Sequence, residues 1–139
     1  MRRVVITGLG TVNPLGASFD ESWQNILRSQ SGADRIESFD VSDLPCQVAC
    51  HVPESFNADD WVEPKDQKRS DTFIIYGIAA ATMALQDSGF EADTDEQQYR
   101  SGVYIGSGIG GLASIEETAL LLNENCLLYT SDAADEVGG

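Results

Sequence analysis

The order of the predicted elements indicates a layered α/β fold for this chain of 139 residues. Two short apolar runs, "RVVIT" at residues 3–7 and "GVYIG" at residues 102–106, each run into glycines, as buried strands often do. Longer segments carry apolar residues at helical spacing. The order strand, helix, helix, strand and helix is typical of a sheet covered by helices.

The first helix is predicted within "SFDESWQNILRSQSG", residues 18–32. Ser18 and Glu21 have the spacing of a capping box, in which each side chain bonds a backbone N–H of the first turn. Gly32 is predicted to end the helix. The stripe expected to face inward consists of Trp23, Ile26 and Leu27.

The second helix, "SDTFIIYGIAAATMALQDSGF", has the clearest helical pattern in the chain. Asp71 is predicted as its N-cap and Gly89 as its end. Its apolar stripe is Ile74, Ile78, Ala81 and Leu85, and its small residues, which would let another element approach closely, are Gly77, Ala79, Ala80 and Ala84.

The remaining segments are predicted as surface excursion, loop and third helix. Residues 33–60 read as an excursion with one short strand at residues 48–52, and "ADTDEQQYR" at residues 92–100 as a polar loop. A third helix follows the late glycines, with Leu112, Ile115, Ala119 and Leu122 on one face.

The charge balance excludes some partners. The chain has 23 acidic residues against 8 lysines and arginines, a formal net charge of −15. Nucleic acids and anionic membranes would repel such a chain, so neither is expected as a partner. No apolar run approaches the length of a membrane span, and the apolar run at the N-terminus is too short for a signal peptide. We therefore expect a cytoplasmic protein.

The segment "CQVACHV" at residues 46–52 suggests a metal site but does not support one. In a strand, Cys46 and Cys50 point the same way and lie about 13 Å apart, too far to share a zinc ion or a disulfide. They are predicted to be small buried apolar residues, and His51 to lie on the surface. No metal site is expected.

The glycine loop, residues 106–111, reads "GSGIGG" and formally matches the dinucleotide-binding pattern G-x-G-x-x-G. That pattern requires a preceding strand, a following helix and an acidic residue about 20 positions later, after a second strand. No second strand follows before the chain ends, and no Walker lysine follows the glycines. A nucleotide site at the glycine loop remains an alternative.

Lys65, Lys68 and Arg69, here named the basic turn, concentrate positive charge in five residues of an acidic chain. On a helix they would share one face at positions i, i+3 and i+4. One interpretation is a solvated helix face. The other is a docking surface for an acidic partner, because an isolated positive patch steers and orients such a partner.

Five segments in register resemble the N-terminal part of the β-ketoacyl-[acyl-carrier-protein] synthases, over residues 1 to about 125. They are "RRVVITGLGTVNPLG", "SWQNILRSQSG", "FDVSDLP", "PKDQKRSDTFIIYGIAAATMALQDSG" and "GVYIGSGIGGL". The resemblance implies a thiolase-like fold, of which this chain is a partial N-terminal half with an incomplete α/β/α layered sheet. It also implies a homodimer at full length and an elongating ketosynthase of fatty acid biosynthesis that needs no cofactor.

The resemblance also assigns roles. Gly108, Ile109 and Gly110 would lie beside the acyl pocket, with Ile109 lining the channel for the acyl chain, although Ile109 as a core residue is the alternative. The basic turn would receive the acidic acyl carrier protein, which bears the acyl and malonyl thioesters. The nucleophilic cysteine and both histidines of the family lie beyond this chain, so it is expected to contain no catalytic residue and to be inactive alone.

The match to the family breaks at residue 126. "CLLYTSDAADE" resembles one reading frame of a transposase adapter used for sequencing libraries, so residues 126–139 are expected to be a non-native tail. A natural divergent tail is the alternative. Besides the nucleotide site, two further alternatives remain open. One is a polyketide ketosynthase or chain-length factor of the same fold, and the other is an inert dimeric scaffold.

Overall fold

The computed structural model describes residues 3–124, so the predicted tail lies outside the described residues. The chain divides into two compact units, one ending at Gly106 and the other beginning at Ser107. The first unit contains helices α1 (Phe19–Leu27), α2 (Pro64–Gln67), α3 (Thr72–Ser88) and α4 (Asp95–Arg100), strands β1 (Ala33–Arg35) and β2 (Val48–Cys50), and a 3-10 turn (Ala58–Asp60). The second unit contains α5 (Leu112–Glu124).

Strands β1 and β2 form an antiparallel pair. Ala33 faces Cys50, Asp34 faces Ala49, and Arg35 faces Val48. This confirms the short strand predicted at Val48, although it ends at Cys50. The pair makes up the only sheet among residues 3–124.

The long helix α3 supplies half of the buried apolar residues of the first unit. Ile75 and Ala79 are buried on it, together with Val41 and Val62 from the segments before it. Gly89 adopts a left-handed φ of 59° just after the helix and ends it, as predicted. Asp71 holds the N-cap position, but its side chain makes no capping hydrogen bond there.

The predicted apolar stripe of α3 remains accessible to solvent. Ile74 and Ile78 are each 38% exposed and Leu85 is 54% exposed. Gly77, predicted to admit another element, faces open space, since a Cβ placed on it would meet no atom within 4 Å. The described residues therefore leave one face of the helix uncovered.

The close approach predicted for the small residues of α3 occurs at the N-terminal segment. A Cβ on Gly8 would lie 2.1 Å from the Ala84 carbonyl oxygen, and one on Gly10 would lie 2.0 Å from that of Ala80. The backbone N–H of Leu9, between them, donates to Asp87 Oδ2 at 2.8 Å. Two glycines and two alanines therefore let two backbones touch, which confirms the prediction for Ala80 and Ala84.

Helix α1 begins as predicted but ends early. The Glu21 N–H donates to Ser18 Oγ at 3.3 Å, while Glu21 Oε2 accepts from the N–H of Ala17 rather than of Ser18. The helix stops at Leu27 because Ser29 takes a left-handed φ of 55°, so the predicted end at Gly32 is wrong.

The predicted burial of Trp23, Ile26 and Leu27 on α1 is wrong as well. Trp23 is 49% exposed and Leu27 is 62% exposed. Trp23 and Ile26 line an open groove of about 300 Å³ together with Leu9. The stripe faces this groove because no further element among residues 3–124 covers it.

The turn Asn13–Gly16 joins the N-terminal segment to α1. The Asn13 and Gly16 backbones exchange hydrogen bonds of 3.1 and 3.0 Å. The Asn13 side chain donates to Ser22 Oγ at 3.0 Å, and the Asn25 side chain donates to the Leu15 carbonyl at 2.6 Å. Ser22 is buried at 4% exposure, while Asn13 and Asn25 are half-buried.

The strands predicted at residues 3–7 and 102–106 are wrong for the described structure. Neither segment is paired, and Val4 and Tyr104 expose 92% and 101% of their surfaces. A strand satisfies its N–H and C=O groups only through a neighbouring strand. Residues 3–124 supply no such neighbour for either segment.

Helix α4 lies where a polar loop was predicted. Thr94 Oγ1 accepts from the Gln97 N–H at 3.2 Å, and Gln97 Oε1 accepts from the Thr94 N–H at 3.0 Å. This is a complete capping box, and its signal was present in the sequence as T-x-x-Q.

No helix among residues 3–124 is long and apolar enough to span a membrane.

Candidate functional site

The glycine loop leads directly into α5. Gly110 has φ of 91°, a conformation that side chains disfavour, and its N–H donates to Ser107 Oγ at 3.2 Å. The Ile115 N–H donates to the Gly111 carbonyl at 3.1 Å and closes the first helical turn. Residues 107–111, "SGIGG", thus form a tight turn. A residue other than glycine at position 110 would strain its backbone.

Ile109 is presented at the surface of this turn. It is 76% exposed, which argues against its alternative role as a core residue within the second unit. A Cβ on Gly108 would meet no atom within 4 Å. The assignment of Gly108, Ile109 and Gly110 to an acyl pocket therefore stays a prediction.

The nucleotide alternative finds no support in the geometry. The dinucleotide-binding pattern requires a strand that ends at its first glycine. Residues 102–106 form no strand.

The basic turn spans α2 and the residues that follow it. Lys65 lies in α2, Lys68 continues the helical backbone as C-cap, and the Arg69 N–H donates to the Asp66 carbonyl at 3.1 Å. All three side chains are exposed, and none forms an ion pair with a carboxylate of residues 3–124. The helix has only four residues, so Lys68 and Arg69 lie beyond its end, and the shared face of the three side chains stays a prediction.

Two hydrogen bonds of Gln67, which lies between Lys65 and Lys68, were not predicted from the sequence. The Gln67 amide donates to the Val62 carbonyl at 2.7 Å and to Asp59 Oδ1 at 2.8 Å. The sequence shows a polar "PKDQK" in which nothing distinguishes Gln67 from a solvated side chain. In the structure, partial burial and these two hydrogen bonds distinguish Gln67 from the exposed lysines beside it.

The predicted burial of the two cysteines is wrong. Cys46 and Cys50 are both exposed and carry free thiols. Five of the six residues of the β1–β2 pair are exposed, so among residues 3–124 little packs against it. His51 lies on the surface, as predicted. Residues 3–124 contain no group of three or more His, Cys, Asp or Glu side chains placed to hold a metal ion.

A comparison with known protein families decides the identity of the fold. The sequence model described as "Beta-ketoacyl synthase, N-terminal domain" matches residues 1–134. The chain belongs to this family. Membership of this family places the partial structure in a thiolase-like α/β fold, as the resemblance implied.

Individual β-ketoacyl synthases align with most of the chain. The 3-oxoacyl-[acyl-carrier-protein] synthase 2 of Rhizobium meliloti (strain 1021) is 48% identical over 130 residues, covering 89% of this chain. That of Vibrio cholerae serotype O1 is 45% identical over 115 residues, covering 83% of this chain. The chloroplastic synthase II of Arabidopsis thaliana is 39% identical and covers 80% of this chain.

These relatives are much longer than the chain. It spans 31% of the Rhizobium protein, 27% of the Vibrio protein and 21% of the Arabidopsis protein. Among solved structures, "The ishigamide ketosynthase/chain length factor" matches with a TM-score of 0.59 and 33% sequence identity. That match covers 66% of this chain and 23% of the solved chain.

Proposed function

We propose that the chain is the N-terminal segment of a 3-oxoacyl-[acyl-carrier-protein] synthase of fatty acid biosynthesis. The observation that carries the proposal is the 48% identity to a synthase of that name over 89% of the chain. Because the alignment covers 89% of the chain, it includes the glycine loop and the basic turn, the two segments with assigned roles. We also propose that the full-length enzyme is a cytoplasmic homodimer without a cofactor.

The proposed reaction is a decarboxylative Claisen condensation. An acyl group is first transferred from its carrier thioester to an enzyme thiolate, and the departing carrier thiolate takes up a proton to become the free thiol. Malonyl carrier then loses carbon dioxide, and the resulting enolate carbon attacks the acyl carbonyl. The new carbon–carbon bond gives a 3-oxoacyl carrier, and the departing enzyme thiolate takes up a proton.

This chain would contribute binding surfaces rather than the reacting groups. No residue of the chain is proposed as catalytic, because the nucleophile and the two histidines of the family lie further along. The exposed Ile109, held on a turn that Gly110 fixes, would form an apolar wall of the acyl pocket.

The basic turn would dock the carrier. Acyl carrier proteins are acidic, and within residues 1–125, which carry 20 acidic residues against 8 lysines and arginines, the cations of the basic turn offer a local point of attraction. The three side chains are exposed and free of ion pairs within residues 3–124, so no internal contact has to break when a carrier binds.

The test of this proposal uses the full-length synthase with Lys65→Glu and Arg69→Glu combined. Four units of charge change on the docking surface should raise KM for acyl carrier substrates about tenfold or more at low salt, and less at high salt. Kinetics with a carrier-free acyl thioester serve as the control and should not change. Unchanged carrier kinetics at low salt would contradict the docking role. Absence of any 3-oxoacyl product from the unaltered enzyme would contradict the proposed function.

A second candidate keeps the same fold. The likeness to a solved ketosynthase/chain length factor favours a polyketide-type ketosynthase, or its chain-length partner without a nucleophile. The coding sequence beyond residue 125 distinguishes the candidates, because a condensing enzyme requires a cysteine at a helix start there.

A further inference from the structure

The basic turn must be held in place by something other than its own helix. Helix α2 has only four residues, and helices this short are unstable without tertiary contacts. The side chains of Lys65, Lys68 and Arg69 are all exposed and add no packing. A docking surface on an unfixed turn would lose ordering entropy each time a partner bound.

Gln67 supplies the fixing contacts. It is half-buried, and both N–H groups of its amide are used, one on the Val62 carbonyl at 2.7 Å and one on Asp59 Oδ1 at 2.8 Å. The two acceptors lie five and eight residues earlier in the chain. Gln67 therefore joins the basic turn to the 3-10 turn before it.

Both acceptors are themselves anchored. The Val62 side chain is part of the core at 8% exposure. The Asp59 N–H donates to Asn57 Oδ1 at 3.2 Å, which caps the 3-10 turn. Just before it, the ring of Phe56 meets Tyr76 of α3 edge-on, with ring centroids 5.2 Å apart. These contacts thus connect Gln67 to α3 through the 3-10 turn and Phe56.

The same contacts keep the cations available. The Asp59 carboxylate is the acceptor next to the basic turn, and its Oδ1 is bonded to a neutral amide rather than to a lysine or arginine. Lys65, Lys68 and Arg69 form no ion pair with any carboxylate in the described chain. The neutral donor therefore fixes the turn without using one of its charges.

We propose that Gln67 is a positioning residue that holds the basic turn in the geometry in which it docks the acidic carrier. The inference rests on the proposed function, since it assigns no role to Gln67 without a carrier. Gln67 would act through Lys65, Lys68 and Arg69 and touch neither the carrier nor the reacting atoms.

The experiment compares Gln67→Met with the unaltered full-length synthase. Met keeps the length of the side chain and removes both donors. The expected result is a rise of about three- to tenfold in KM for acyl carrier substrates, with kcat unchanged and with kinetics on an acyl-pantetheine thioester unchanged. Gln98→Met, which removes a comparable amide bond of 3.1 Å from α4, should leave all these constants unchanged.

A second pair of variants separates hydrogen bonding from charge. Asp59→Asn and Asp59→Leu remove the same charge, but only Asn keeps an oxygen to accept from Gln67. Carrier KM should rise in Asp59→Leu and remain at or below the original value in Asp59→Asn. Equal KM values in these two variants, or an unchanged KM in Gln67→Met, would overturn the inference.

The outcomes also separate this inference from the proposed function. If Lys65→Glu with Arg69→Glu raises carrier KM and Gln67→Met does not, docking stands and the positioning role fails. If neither variant changes carrier KM, the docking proposal fails and the positioning role fails with it. A loss of activity on carrier-free thioesters in Gln67→Met would show a general structural defect and would also overturn the inference.

Discussion

Gly10 shows how tightly a single residue can constrain this structure. A Cβ there would lie 2.0 Å from the Ala80 carbonyl oxygen and 2.6 Å from the Ala84 nitrogen, both backbone atoms of α3 that cannot rotate away. We expect Gly10→Ala to lower the free energy of unfolding by about 3 kcal/mol, since the segment must move off the helix.

The matched control for this prediction is Gly77→Ala within α3. A Cβ at Gly77 meets nothing within 4 Å, so the substitution should raise the free energy of unfolding by about 0.5–1 kcal/mol through helix propensity. Urea unfolding of the dilute chain, followed by tryptophan fluorescence, measures both. Equal effects of the two substitutions would show that Gly10 does not pack as described.

Individual residues were predicted from sequence where a backbone rule governs them. Gly89 ends α3 because the left-handed conformation there favours glycine, and that rule is local. Exposure was predicted poorly, as Trp23 and Cys50 show, because burial depends on which other elements cover a face. Gln67 was missed for the same reason, since its acceptors are set by the path of the chain and not by its neighbours in sequence.

At the scale of elements, α4 depends on its cap more than on packing. Its residues are exposed, and its first turn is stabilised by the reciprocal bonds of Thr94 and Gln97. Thr94→Ala should destabilise this helix by about 1 kcal/mol. Hydrogen exchange at the amides of residues 98–100 should accelerate about fivefold, while α3 keeps its protection. Unchanged exchange in α4 would mean that the cap does not hold the helix.

The helices were more predictable than the strands. The periodic pattern of α3 and the apolar spacing of α5 are contained within each segment, so the sequence indicates them directly. Residues 3–7 and 102–106 have the composition of strands, but a strand also needs a neighbour. That requirement is non-local, and residues 3–124 do not meet it.

At the scale of the whole molecule, the chain leaves much apolar surface in water. Val4, Tyr104 and Ile109 expose 92%, 101% and 76% of their surfaces, and the stripe of α3 is open as well. We expect the 139-residue chain by itself to self-associate at micromolar concentration and to produce no 3-oxoacyl carrier.

Sedimentation velocity and a condensation assay with acyl and malonyl carriers measure these two properties. A monodisperse monomer would contradict the expected association. Turnover by the chain alone would contradict the assignment of the catalytic groups to other parts of the enzyme. The full-length protein, assayed in parallel, provides the comparison.

The hydrogen bonds of two asparagines between the turn and the first helix have a mechanical consequence. Asn13 of the turn donates to Ser22 of α1, and Asn25 of α1 donates to Leu15 of the turn, so two short bonds join the turn and the helix at separate positions. Moving α1 away from the turn would stretch both of them. Helix and turn should consequently diffuse as one rigid body during nanosecond fluctuations, with no hinge between residues 13 and 25.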